Sequence, residues 1–428
     1  MKLFKPEDIN ETTLNELTQR RRCDFSKEKK EVEAILAKVS ETGDKALCEY
    51  TQQFDGVALS AETLRVSEAV LKEAQSQVSK EVQKAIQKAI KNVRDYQIRL
   101  VPSPDCLEIN NGFSLGSRVI PLKRIGAYIP AGSAPLVSTV LMTLVPATVA
   151  GVQELVVVSP PSYEGRIHPA ILYACDLCGV TEVYAVGGAQ SIGALAYGTD
   201  QIKRVDKIVG PGNIYVTLAK KEVYGLVDID MVAGPSEIMV IADQEAPIDW
   251  VAYDLMSQAE HDPLSSSYLV TFDKDYAEKI IDRFEKLMQD MPRKDIIAQS
   301  WKDNACIFVV DSDQQAVQLA NYIAPEHLEL MVVNAEKMKE QIDNAGAIFM
   351  GYYTPEAVGD YTAGPSHVLP TGGSARFFSP LSPESFVKRT SLIGYNESRL
   401  KEEAKEIMIL ARLEGLEAHA KSVEVRLK

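Results

Sequence analysis

Arg124-Ile-Gly-Ala-Tyr-Ile-Pro-Ala-Gly132 is the stretch whose reading decides the fold of this chain. An apolar run at 125–129 stops at Pro130 and Gly132, and an apolar helical stretch follows at 135–150. A strand covered on both faces reads as such a run, because neither face alternates with polar residues. The unit then recurs. Runs at 155–159, 183–186, 207–209 and 227–232 alternate with helical stretches at 169–178, 190–197 and 214–224. That alternation specifies a parallel sheet with helices on both faces, whose functional loops lie at the carboxyl ends of the strands.

A second series follows, with strands expected at 238–242, 268–272, 306–310, 330–333 and 347–350 and helices at 248–259, 276–288, 314–323 and 336–345. Upstream the chain reads as helix. Ser79 precedes Val82, Ala85, Ile86, Ala89, Ile90, Val93 and Tyr96, a stripe at spacings of three and four. Val32, Ile35, Leu36 and Val39 repeat it before Gly43. Asn110-Asn111-Gly112 is a hairpin turn signal between strands at 106–109 and 117–122. A Ser/Pro-rich linker at 374–383 leads to a strand at 386–393, a charged helix at 397–418 and a short final strand at 423–427. The expected architecture is α/β: two doubly wound, incomplete Rossmann-like domains with a helical N-terminal arm and a small C-terminal tail domain.

A chain of 428 residues, 46% hydrophobic and 25% charged, has the composition of an ordinary globular protein. Its formal charge of −14 argues against nucleic acid or an anionic membrane surface as partner and favours a small, possibly cationic molecule. No apolar run approaches the roughly 18 residues of a membrane span. The first 22 residues carry Asp8, Glu11 and Glu16 and lack an apolar core, unlike a targeting peptide. Six irregularly spaced cysteines suit a reducing compartment, and a cytoplasmic location is expected. Cys175-Asp-Leu-Cys178 has no second CxxC to complete a four-thiolate site and reads as helix core.

Glycine gathers after the apolar runs, in Gly126-Ala-Tyr-Ile-Pro-Ala-Gly132, Gly187-Gly-Ala-Gln190, Gly210-Pro-Gly-Asn213 and Ala233-Gly-Pro-Ser236. Each opens a helix, where free N–H groups favour an anion such as a pyrophosphate, but none is the G-x-G-x-x-G pattern. Histidine is scarce, and four of the five copies sit in the C-terminal half beside acids: Gln258-Ala-Glu-His261, Glu326-His327, Asp360 before His367, and Glu414 before His419. Imidazole with carboxylate can shuttle protons near neutrality or hold a divalent metal. Gln258 and His261, at i and i+3, share a helix face. Adjacent Glu326 and His327 should diverge, as two proton carriers flanking one substrate, with His327 titrating near ~6.5. Glu414 and His419, about 140° apart on a helix, converge only if the helix ends between them.

Across these residues the chain closely resembles the histidinol dehydrogenase family over nearly its full length. The stretches that carry the resemblance are Gly126-Ala-Tyr128-Ile-Pro130, Gly187-Gly-Ala-Gln190, Val209-Gly-Pro-Gly-Asn213, Ala233-Gly-Pro-Ser236-Glu237, Gln258-Ala-Glu-His261-Asp262, Ala324-Pro325-Glu326-His327-Leu328, Gly359-Asp360-Tyr, Ala363-Gly-Pro-Ser-His367, Arg376-Phe, Arg412-Leu-Glu414-Gly-Leu and His419. The resemblance implies oxidation of L-histidinol to L-histidine in two NAD-dependent hydride transfers, with L-histidinaldehyde held between them. It implies Gln258, His261, Asp360 and His419 as zinc ligands, His327 as general base and Glu326 as its water-activating partner. By the same route Ser236, His367 and Glu414 are expected to touch substrate, and Tyr128, Gln190 and Asn213 to touch NAD. A homodimer is implied, with Glu414 and His419 reaching the other subunit. The matching domain limits are 1–25 for the arm, 26–118 with 236–380 for the catalytic domain, 119–235 for the NAD domain and 384–428 for the tail. Two positions depart from the family's usual pattern, Ala131 for Gly and Ser366 for Asn. A zinc hydrolase could use the same ligands without the Gly-rich loops, and an inactive α/β binding protein would be expected to have lost some of them.

Overall fold

The computed structural model describes residues 1–10, 12–15, 25–103, 105–110, 112–132 and 134–428. Strand β1 (Lys2–Phe4) comes first, and β2 (Asp105–Asn110) and β3 (Phe113–Pro121) form an antiparallel pair. Next come β4 (Arg124–Tyr128), β5 (Glu154–Ser159), β6 (Glu182–Ala185), β7 (Lys207–Val209) and β8 (Asp228–Ile229). They make a parallel five-stranded sheet in the order β6-β5-β4-β7-β8. Every residue of β4 is buried, as its unbroken apolar run required. The order reverses between β4 and β7, which opens a crevice at their carboxyl ends.

The second parallel sheet has six strands in the order β1-β11-β10-β9-β12-β13, built from β9 (Glu237–Ala242), β10 (Ser266–Thr271), β11 (Cys306–Val309), β12 (His327–Met331) and β13 (Ala347–Met350). It reverses between β9 and β12. Strand β12 begins three residues before the expected strand, since charged Glu329 interrupts the apolar signal although the whole strand is buried.

Two departures concern the chain's ends. The expected helical arm opens with β1 on the edge of the six-stranded sheet before its helical residues 12–15, and residues 11 and 16–24 lie outside the described residues. Three residues on an edge leave no periodicity to read. At the other end, β14 (Val387–Tyr395) pairs antiparallel with β3, and the helices Glu397–Leu413 and Glu417–Glu424 follow. Residues 423–427 are not a strand. Val425 N–H donates to Lys421 O and Arg426 N–H to Val423 O, so the segment satisfies its backbone locally and needs no sheet edge. The hairpin turn is expected at Asn111, which lies outside the described residues.

Grouping 26–118 with 236–380 also needs correction. The helix Ser26–Thr42 buries Val32, Ile35, Leu36 and Val39 against Tyr128, Val156, Val158 and Leu195 of the five-stranded unit. Ser79 Oγ accepts from Val82 N–H to start the helix Lys80–Gln97, whose Ile86, Ala89 and Val93 join Ile125, Val140 and Leu144. Apolar stripes fix what a helix buries, not which sheet supplies the partner. Cys175 and Cys178 are buried free thiols in the same core, and burial pushes Cys178 up to about 12.

Candidate active site

The residues expected to carry protons lie at the amino ends of β9 and β12. Helix Asp313–Ile323 ends in Ala324 at φ 51°, and Pro325 then sends the chain into β12 at His327. Glu326 and His327 do not diverge. Glu326 Oε2 accepts from Glu237 N–H at 3.0 Å, and His327 Nδ1–H donates to Glu237 O at 3.1 Å. One peptide neighbour therefore holds both side chains, with Nδ1 and Oε2 3.8 Å apart. Since Nδ1 carries the proton, His327 Nε2 is left as the acceptor, and it is buried without a hydrogen-bond partner.

Burial, not a neighbouring charge, dominates the electrostatics here. It lowers His327 to about 4, away from the unperturbed value expected from sequence, so the imidazole is neutral at pH 7. It also holds Glu326 well above the usual carboxylate range, although the Glu237 N–H pulls the other way. A carboxylate so raised is a stronger base than a solvated one. His367 is pushed down to about 3 by burial and by the nearby His327 and His261 rings. Asp360 lies 3.8 Å from His367 Nδ1 and is raised to about 6 by burial and Glu356.

Sequence reading missed Glu356, four residues before Asp360 on the short helix Glu356–Tyr361. Its carboxylate accepts from Ser257 Oγ at 2.9 Å, lies 3.6 Å from His327 Nε2, and is raised to about 7 by burial. Ligand atoms of His327, Glu356 and Asp360 all fall within 4.8 Å of one another. Glu329, two residues after His327 in β12, accepts from Glu356 N–H at 2.7 Å. Two ionisable residues, His327 and Glu329, at i and i+2 in an otherwise apolar strand were the available signal.

Gln258 lies in the last turn of the helix Ile248–Ala259, and His261 follows in the turn that closes it, its N–H donating to Gln258 O. Gln258 is buried, and one end of its amide lies 2.6 and 3.2 Å from the Glu356 oxygens, where the nitrogen donates. His261, one turn on, is exposed; its Nδ1 donates to Ser257 O at 2.8 Å, which leaves Nε2 for a ligand. Ser236 is half-buried, and its carbonyl accepts from Ser266 N–H at the amino end of β10. Glu414 and His419 are exposed on the tail helices, where Gly415 at φ 75° breaks the helix between them, as convergence required. Within this chain they do not join the triad of His327, Glu356 and Asp360. Ser366 Oγ, at one departing position, donates to Met142 O at 2.9 Å and accepts from Val368 N–H, so it ties the His367 loop to the five-stranded unit.

The other expected contacts cluster at the carboxyl ends of β4, β6 and β7. Tyr128 is buried, its hydroxyl accepts from Gly188 N–H, and burial raises it to about 12. Gln190 is buried with Oε1 unpartnered. Asn213 caps the helix Ile214–Val223, accepting from Val216 N–H at 3.1 Å. Gly210 sits at φ 111°, and a Cβ there would meet Tyr128 O at 2.2 Å, so only glycine fits this switch-point turn. Among the described residues, no helix is long and apolar enough to cross a membrane.

Comparison with known proteins bears on the chain as a whole. The histidinol dehydrogenase family model matches residues 18–427. The chain is 46% identical to the histidinol dehydrogenase of Clostridium acetobutylicum, covering 93% of this chain and 92% of that one. It is 49% identical to that of a Synechococcus species, covering 92% and 91%. The crystal structure of histidinol dehydrogenase from Elizabethkingia anophelis superposes with a TM-score of 0.93 at 37% identity, over 100% of this chain and 98% of that one. A match of sequence and fold over the whole chain leaves one assignment: this protein belongs to the histidinol dehydrogenase family, which are NAD-dependent oxidoreductases.

Proposed function

We propose that the chain catalyses the zinc-dependent, four-electron oxidation of L-histidinol to L-histidine with two NAD+, as a step of L-histidine biosynthesis. One observation carries this reading: a neutral, buried His327 fixed through Nδ1, on the side of the Glu326 carboxyl, with Nε2 free of any hydrogen bond. His327 Nε2 takes the hydroxyl proton as the alcohol becomes L-histidinaldehyde. Glu326 then takes a proton from water, so that the aldehyde is hydrated for the second oxidation. Ser236, His367 and Glu414 contact the substrate, and Tyr128, Gln190 and Asn213 contact NAD, which accepts the hydride in both steps.

The donor set suits a borderline metal. Buried His327 Nε2 and His367 Nε2 lack partners, and Gln258, His261 and Asp360 add N and O donors. Zinc would be held by Gln258, His261 and Asp360 with His419 of the partner subunit, and when bound it would orient the substrate and polarise its oxygen. NADH absorbance from L-histidinol and NAD+ tests this. Chelation should abolish the signal and zinc should restore it, whereas full turnover in a preparation shown metal-free by elemental analysis removes zinc from the reaction.

The same reading makes the enzyme a homodimer with shared sites. Ile109, Ile393 and Leu413 expose 77%, 75% and 81% of their surface on the tail sheet and its helix, more apolar surface than a free tail would leave in water. Mixing inactive His261→Ala and His419→Ala subunits should regain activity, because one heterodimer site then carries both lesions and the other neither. If heterodimers confirmed by differential tags stay inactive, each tail serves its own subunit.

A further inference from the structure

We propose that Lys220 and Asp230 are positioning residues for the dinucleotide, acting together to set the shape of the Gly210–Asn213 turn; this rests on the reading of that turn as part of the NAD site. The side chains are 3% and 1% exposed and form an ion pair. Between them they hold both polar atoms of Gly210: its N–H donates to Asp230 Oδ2 at 2.7 Å, and its carbonyl accepts from Lys220 Nζ at 2.9 Å. Asp230 Oδ1 also accepts from Met231 N–H at 2.7 Å, which anchors the carboxylate just beyond β8.

Stability does not explain such a pair. Moving two charges out of water costs about as much as their attraction returns, so an apolar pair of similar volume would serve the core as well. What an apolar pair cannot do is bind a peptide group at φ 111° in one orientation. Without those bonds Gly210 is free to leave a conformation that only glycine tolerates, and Tyr128 O packs directly against the place a Cβ would occupy. The turn leads through Pro211 and Gly212 to Asn213, the cap of the helix Ile214–Val223. Lys220 itself lies on that helix. The pair therefore links the turn, the helix it opens and the strand beside it, at the point where the sheet order reverses.

The test is a titration of zinc-loaded enzyme with NAD+ alone, followed by steady-state kinetics. Lys220→Met should weaken NAD+ binding about tenfold, the effect of losing one bond to a charged group. KM for NAD+ should rise in parallel, with a much smaller change in kcat at saturating NAD+. Lys220→Gln with Asp230→Asn, a neutral pair that still donates to Gly210 O and accepts from Gly210 N–H, should restore most of the affinity. Unchanged NAD+ affinity in folded Lys220→Met overturns the proposal. Should that variant not fold, Lys220→Arg decides: it keeps the charge pair but moves the donor off the Gly210 carbonyl, so wild-type affinity there overturns the proposal and several-fold weakening supports it. Hydrogen exchange of the wild-type 210–216 segment separates the underlying reading, because absence of protection by NAD+ means the turn is not part of the cofactor site.

Discussion

The two parallel sheets are built alike and gather their buried polar groups at different ends. Each reverses its strand order once, between β4 and β7 in one and between β9 and β12 in the other. In the five-stranded sheet the carboxyl-end crevice is lined by Tyr128 and Gly210. In the six-stranded sheet the equivalent place is filled from within. Asp243 accepts from Tyr352 OH at 2.9 Å and from Val333 N–H at 2.8 Å, just beyond β9 and β12. The buried acids and imidazoles sit at the amino ends of that sheet instead, around Glu237, Glu326 and His327. A repeated fold therefore does not repeat its arrangement of polar groups; the side chains that close or open each crevice decide what each end can hold.

That division can be broken at the amino ends with the largest effect. His327→Asn should lower kcat for L-histidinol by about 10²–10⁴-fold, the worth of a positioned general base, while metal content and NAD+ affinity stay near wild type. An equal loss of NAD+ affinity would erase the separation of chemistry from cofactor. At the carboxyl end of the first sheet, Gly210→Ala forces a Cβ against Tyr128 O. Strain of this kind costs about 1–3 kcal/mol, so KM for NAD+ should rise roughly tenfold or more with kcat affected less. An unchanged KM would sink the cofactor assignment of that crevice. The smallest effect belongs to the second sheet's carboxyl end. Tyr352→Phe should lower stability by about 1 kcal/mol in denaturant melts and leave both KM values alone. A shift in either KM would mean that this crevice also receives a ligand.

Sequence made the strand–helix alternation legible because parallel strands buried on both faces leave runs that no amphipathic helix leaves. It located β4 to β7 and most of the second sheet for that reason. It lost β1, whose three residues on an edge have no pattern, and it placed the helices before 100 against the wrong sheet. Asp360 and His367 were legible because acid and imidazole fall in one loop-rich segment. Glu356, Glu329 and Glu237 were not, because a buried carboxylate in a strand or short helix looks like a surface residue until its neighbours are known. Even named residues misled on electrostatics. His327 was assigned its solvent value, and only burial on every side lowers it to about 4.

Residue 237 holds two side chains through its backbone alone. Its N–H and carbonyl carry Glu326 and His327, while its carboxylate is engaged elsewhere, accepting from Gly372 N–H at 3.2 Å. Ordinary substitutions change side chains and leave peptide groups in place, so a scan of single replacements would pass over the mounting of both side chains. Strand register is what inherits it. His327 pairs with Ile238 across the β9–β12 ladder, and a one-residue insertion or deletion in either strand would hand each group a different peptide and turn its side chains to the other face. The mutations to which this alignment is most sensitive are therefore changes of length, not of letter.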